Sequence, residues 1–192
     1  MDRGEEGIRN TLASCRRLGV DTVGAYATAS ERDTICIRSI DGIRVAFLNY
    51  TYGTNAFAHH RYLEHNYMVN LFQPEENNSG AVYLLHSYEQ IAKDTDEIYN
   101  KKIGYAFVQP YIDRLQADIV KAKEVADFVV MIMHAGGQYN DVPEAYTENL
   151  VRIIKSAGAD LIVGHHPHIV QKSSFSGGIL TAYSLGEFPV FA

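Results

Sequence analysis

Phe128-Val129-Val130-Met131-Ile132-Met133, closed by His134, is a continuous apolar run of the kind buried on both faces of a sheet. Leu161-Ile162-Val163 is a second such run, and it opens into Gly164-His165-His166-Pro167-His168. Between them, Glu144 to Ala157 sets Leu150, Ile153, Ile154 and Ala157 on one helical face and stops at Gly158. Strand, helix and strand in that order predict a parallel crossover unit. Adjacent parallel strands then end on one edge of the sheet, the edge where α/β proteins place their chemistry.

Working upstream, Ile112, Leu115, Ile119 and Ala122 recur at helical spacing behind Pro110, which reads as a first-turn proline. Asp41-Gly42 lies between two β-rich runs, Ile35 to Ile40 and Ile43 to Leu48, and predicts a tight hairpin because both turn residues tolerate positive φ. Ile8, Leu12, Cys15 and Leu18 predict an N-terminal helix stopped by Gly19, followed by a short strand over Val20 to Ala25. Tyr67 to Phe72 reads as a strand, Gln73 to Gly80 as a polar loop, and Ala81 to Tyr99 as an insertion with mixed helical spacing.

The chain has 192 residues, 46% of them hydrophobic, which predicts a single domain, residues 1–192, with a sizeable core. Lys and Arg number 17 against 23 Asp and Glu, a net charge of −6. That balance argues against nucleic acid as a partner, which requires a basic face to displace counterions. Cys15 and Cys36 cannot build a disulfide framework and share no metal spacing. No run approaches the ~18 apolar residues of a membrane span. Met1-Asp2-Arg3-Gly4-Glu5-Glu6 lacks the layout of a signal peptide.

Four of the eight histidines stand at the ends of the two apolar strands: His134, His165, His166 and His168. Imidazole is a good ligand for zinc, manganese or iron, and strand-end loops hold ligands with little freedom. Gly136-Gly137 and Gly164 keep bulk away from such a site. One histidine after a buried strand is more often structural; three more on the neighbouring strand end reverse the balance. His59, His60 and His65, beside Arg61, read as solvated surface, and His86 as a packed residue. The 13 tyrosines read as filler. Phosphate-binding and dinucleotide glycine fingerprints are absent, as is a Gly-x-Ser-x-Gly elbow.

Several segments resemble the bacterial capsule-synthesis proteins of the CapA and poly-γ-glutamate biosynthesis type. They are Asp41 to Thr51, Ala126 to Met131 running into His134-Ala135-Gly136-Gly137-Gln138-Tyr139-Asn140, Ala157 to Gln171, and Ala182-Tyr183-Ser184-Leu185-Gly186-Glu187-Phe188. The Gly-His-His-Pro-His block followed by Tyr-Ser-Leu-Gly is highly specific. The resemblance implies an α/β fold of the calcineurin-like metallophosphoesterase type, a sandwich of two β-sheets flanked by helices. It also implies a divalent transition metal (Mn, Zn or Fe) at the sheet edge, where a metal-activated hydroxide attacks a phosphoester. His134 would match the single ligand after its strand. Gly164 to His168 would match the terminal Gly-His-x-His motif, with His168 as one ligand and either His165 or His166 as the other.

Two positions depart from the family: Ala135 stands where it usually has Trp, and Glu187 where it has Asn. Asp2-Arg3-Gly4 matches a segment that in the family follows a Gly-Asp ligand motif and an Asn-Asn-His motif. The expectation is therefore the C-terminal larger part of such a domain, lacking its N-terminal strand or strands and their carboxylate ligands. Two functions follow. One is a metal-dependent hydrolase acting on an envelope polymer or its precursor, beside capsule-synthesis membrane proteins. The other is a catalytically incompetent remnant or scaffold subunit, with an oligomer covering the open edge. A single-metal amidohydrolase ranks third. Family members are typically membrane-anchored and extracytoplasmic.

Overall fold

Glu5 and Glu6 in the first turn and Arg16 and Arg17 in the last complement the dipole of helix α1 (Gly4–Arg17), and Gly19 leaves it with a φ of 69°. A single-turn helix, α2 (Ala29–Arg32), starts where the Thr28 hydroxyl accepts a hydrogen bond from the Glu31 amide at 3.2 Å. Asp41 and Gly42 take φ values of 50° and 85°, and so join β1 (Cys36–Ile40) and β2 (Ile43–Thr51) as the expected antiparallel hairpin. The computed structural model describes residues 3–56, 61–74 and 102–187.

Helix α3 (Lys102–Val125) leads into β3 (Phe128–His134), which lies parallel to β2. Helix α4 (Ala145–Ala157) ends on Gly158 in the left-handed conformation and returns the chain to β4 (Leu161–His165), parallel to β3. A last hairpin, β5 (Ser173–Ser176) and β6 (Ile179–Ala182), turns on Gly177-Gly178 and sets β6 parallel to β4. The sheet order is β1-β2-β3-β4-β6-β5, four parallel strands with an antiparallel strand at each edge. The described residues thus form one six-stranded mixed sheet with helices packed on it, an α/β fold as expected, with one of the two expected sheets among the described residues.

Register places Ala46, Leu48 and Tyr50 of β2 beside Val129, Met131 and Met133 of β3, with Ile162 of β4 next in line. This face meets Ile112, Leu115 and Ile119 of α3 and Leu150 and Ile154 of α4 in one core. Each fully buried Leu, Ile or Met there contributes roughly 1.5–3 kcal/mol of transfer free energy. One polar group is anchored in the same layer. Arg32, 4% exposed, donates to the Tyr50 hydroxyl at 3.1 Å and to Asp118 Oδ2 at 2.5 Å, and Tyr50 donates to Asp118 as well. Burial, with the Asp118 carboxylate beside it, pushes the Tyr50 hydroxyl far up.

Three expectations are corrected. Val20 to Ala25 is no strand: only Ala25 makes a bridge, to Val69. Gly24, at a φ of 85°, crosses the backbone of Asn49 so closely that a Cβ there would sit 2.6 Å from the Asn49 carbonyl oxygen. Tyr67 to Phe72 likewise forms isolated bridges, Val69 to Ala25 and Leu71 to Thr51, rather than a strand. Pro110 does not open its helix; α3 begins at Lys102 and holds the proline inside, at the expense of one backbone hydrogen bond. Gln73 of the expected polar loop is buried and accepts from the Tyr146 hydroxyl at 3.1 Å. The rest of that loop, the expected insertion over Ala81 to Tyr99, and His59, His60 and His86 lie outside the described residues.

Candidate metal centre

The parallel ladder carries its register past the strand ends. The Tyr52 amide donates to the His134 carbonyl at 3.1 Å, and the Ala135 amide donates to the His165 carbonyl at 3.2 Å. Three loops therefore leave β2, β3 and β4 side by side. His134 and His165 are register partners, and their rings stack with centroids 6.1 Å apart. His166 turns inward: it is 7% exposed, and its ring lies 4.6 Å from that of His134 and 6.0 Å from that of His168. All four histidines singled out from the sequence thus meet at one edge.

The backbone here departs from ordinary geometry. His166 and His168, on either side of Pro167, take φ values of 109° and 62°, a region that side chains other than glycine rarely occupy. Such conformations cost on the order of 1–3 kcal/mol each and cluster at functional sites. Surrounding contacts hold them. The Tyr139 amide donates to the Pro167 carbonyl at 2.8 Å, and Gln171 Nε2 donates to the Asn140 carbonyl at 2.9 Å. Glu144 gathers the other side of the loop, accepting from the Gly137 amide at 2.6 Å, from Asn140 Nδ2 and from Thr147 Oγ1 at 3.2 Å.

Burial, and then the neighbouring imidazoles His166, His165 and His168, pull the His134 ring down to about 4. His166 is pulled down to about 4 by burial and then by His168 and His165. Both rings are neutral at physiological pH and keep a lone pair for a cation, as metal ligation requires. The donor chemistry therefore fits a divalent transition metal. The spacing is open: among the described residues, the one group of three ligand-type side chains with donor atoms within 4.8 Å of one another is Glu5, Glu64 and His65. There the Glu5 carboxylate accepts from the Glu64 and His65 amides at 2.9 and 2.7 Å and pairs with His65 Nδ1 at 2.8 Å. That arrangement ties the loop to α1, with His65 half-exposed as its surface reading implied.

Three further residues stand at this edge, of which sequence alone marks Glu187, as a departure from the family, and neither tyrosine. Tyr52 lies parallel to the His134 ring, centroids 6.0 Å apart, and its hydroxyl is 3.3 Å from His166 Nε2. Tyr139, exposed and at a φ of 62°, has its ring 5.8 Å from His168. Glu187 Oε1 stands 3.4 Å from His168 Nδ1. By sequence alone the two tyrosines read as filler. Thr51-Tyr52-Gly53, directly after an alternating strand, was the available signal for the first.

The chain is thus an α/β protein with four imidazoles gathered at the carboxyl ends of its parallel strands, two of them, His134 and His166, held neutral. Comparison with known sequences identifies the family: residues 1–191 match the model of the bacterial capsule synthesis protein PGA_cap, and the chain belongs to that family. It is similar to the PGA biosynthesis protein CapA of Bacillus subtilis (strain 168), 27% identical over 189 residues, covering 98% of this chain and 39% of that protein. It is similar also to the capsule biosynthesis protein CapA of Bacillus anthracis, 28% identical over 191 residues, covering 97% of this chain and 37% of that protein. The chain thus spans about two fifths of the length of these relatives.

Proposed function

We propose that this chain serves capsule or poly-γ-glutamate biosynthesis and carries a divalent transition metal at the carboxyl ends of β3 and β4, held by His134 and His168 with either His165 or His166. The observation that carries the reading is the convergence of four imidazoles, two of them kept neutral, on one sheet edge. A cation held there supplies Lewis acidity toward a phosphoester. The chain's own part is to fix the imidazoles on strand ends and to keep His134 and His166 unprotonated, facing an anionic group of an envelope polymer or its precursor. Manganese and zinc titrations by calorimetry test it. Binding should be lost or greatly weakened in His134→Ala and His168→Ala; equal binding by wild type and variants overturns the assignment.

A second reading, a non-catalytic partner subunit of an envelope-polymer assembly, draws on one observation. Val170 and Leu185 form a bridge beside the cluster yet are 74% and 59% exposed. Apolar side chains left open next to a site suit a protein partner. Metal binding without hydrolysis of a generic phosphodiester would favour this reading; metal-dependent turnover lost in His168→Ala would remove it.

A further inference from the structure

The tyrosine at the end of β2 is held as firmly as the histidines it faces. Its amide is fixed by the His134 carbonyl, and the Thr51 hydroxyl closes the following turn, donating to the Gly53 carbonyl at 2.9 Å and accepting from the Gly53 amide at 3.3 Å. Its ring lies at an interplanar angle of 1° to that of His134, and its centroid is 4.9 Å from the His166 ring. The phenol oxygen then reaches one nitrogen of His166, Nε2, at 3.3 Å. A neutral imidazole has one N–H and one lone pair, so whatever engages one nitrogen decides what the other offers. Metal-ligating histidines commonly give their second ring N–H to an outer acceptor, which fixes both tautomer and ring orientation.

We infer that Tyr52 is a positioning residue of the histidine cluster: its phenol oxygen accepts the Nε2–H of His166 and leaves Nδ1 as the nitrogen with a lone pair for a divalent cation. The ligand role of Nδ1 rests on the metal reading above; the tautomer does not. The contact also separates the two adjacent histidines, which the Gly-His-x-His comparison left as alternatives. His166 is the inward one with an outer partner, whereas His165 is exposed and stacks on His134.

Long-range proton–nitrogen correlation spectra of the histidine rings, recorded on the metal-free full chain at pH 8, read the tautomer directly. His166 should be protonated at Nε2. Tyr52→Phe, which keeps the ring against His134, should shift the His166 nitrogens toward a tautomer mixture, leave those of His165 unmoved, and weaken zinc binding by roughly 10-fold. Protonation of His166 at Nδ1 in the wild-type chain overturns the inference, as do unchanged His166 shifts and zinc affinity in Tyr52→Phe. A wild-type chain that binds no zinc would sink the metal reading instead, with the tautomer still deciding the contact.

Discussion

The Glu144 carboxylate accepts the Gly137 amide at 2.6 Å and so closes the loop that follows His134. Gly136 beside it has a φ of 107°, and Glu144 Oε2 lies 3.2 Å from where a Cβ would stand. One carboxylate thus holds the backbone that faces Pro167. Glu144→Ala should remove charge-assisted hydrogen bonds worth about 1.5–3 kcal/mol locally. Hydrogen exchange should show faster exchange at the Gly137 and Tyr139 amides, with the core amides of β3 unchanged.

Gly164 is required by space. A Cβ on it would lie 1.9 Å from the Tyr183 carbonyl oxygen and 2.5 Å from its carbon, both backbone atoms that no rotamer change can move. Gly164→Ala must push β4 and the segment after β6 apart. A loss of about 3 kcal/mol or more in urea unfolding is expected, toward the upper end for an overpacked site.

Arg32 and Asp118 give a prediction with two arms. Removing one partner leaves the other charge buried, so Asp118→Ala should cost about 3–5 kcal/mol of stability. Replacing both with apolar residues of similar volume, Arg32→Met with Asp118→Leu, should cost less than the single change. Thermal and urea denaturation of the single and double variants compare the two. A double variant at least as unstable as Asp118→Ala would contradict the account.

Asp127 supplies a pH signature. Its carboxylate accepts from Arg44 Nε at 3.1 Å, Nη2 at 2.7 Å and the amide at 2.9 Å, and these bonds, the side-chain ones foremost, hold it down at about 2 against the ordinary 3.8. The folded carboxylate therefore binds its proton later than the unfolded one. Its contribution is fully present above the ordinary value of 3.8 and is lost as the pH falls through about 2. Comparing denaturation at pH 5 and pH 2 should show a smaller drop for Asp127→Asn than for wild type.

Much of this architecture is legible from the chain because local and global signals agree. The apolar runs of β3 and β4, the Asp41-Gly42 turn and the α4 stop at Gly158 each have one physical solution. The four histidines were found because strand-end position is itself a sequence property. Tyr52 was not, because its role arises from the parallel register of β2 on β3, which no local pattern of residues records. Val20 to Ala25 has β-like composition, but Gly24 leaves the extended conformation to cross Asn49. Gly177-Gly178, at positive φ between β5 and β6, is itself a turn signal that sequence carries. Pro110 inside a helix runs against propensity, and packing of Ile112, Leu115 and Ile119 on the sheet outweighs it.

The central ladder also bears on how this chain reaches its native state. Its four parallel strands come from residues 43–51, 128–134, 161–165 and 179–182, so each pairing closes a long loop before it yields any contact energy. Tyr52 and His166, 114 residues apart, meet only when β2, β3 and β4 are all in register. Such a chain is a slow folder by topology, and its imidazole knot is among the last features to assemble. On the metal reading proposed above, zinc uptake during refolding would then serve as a clock for completed strand order.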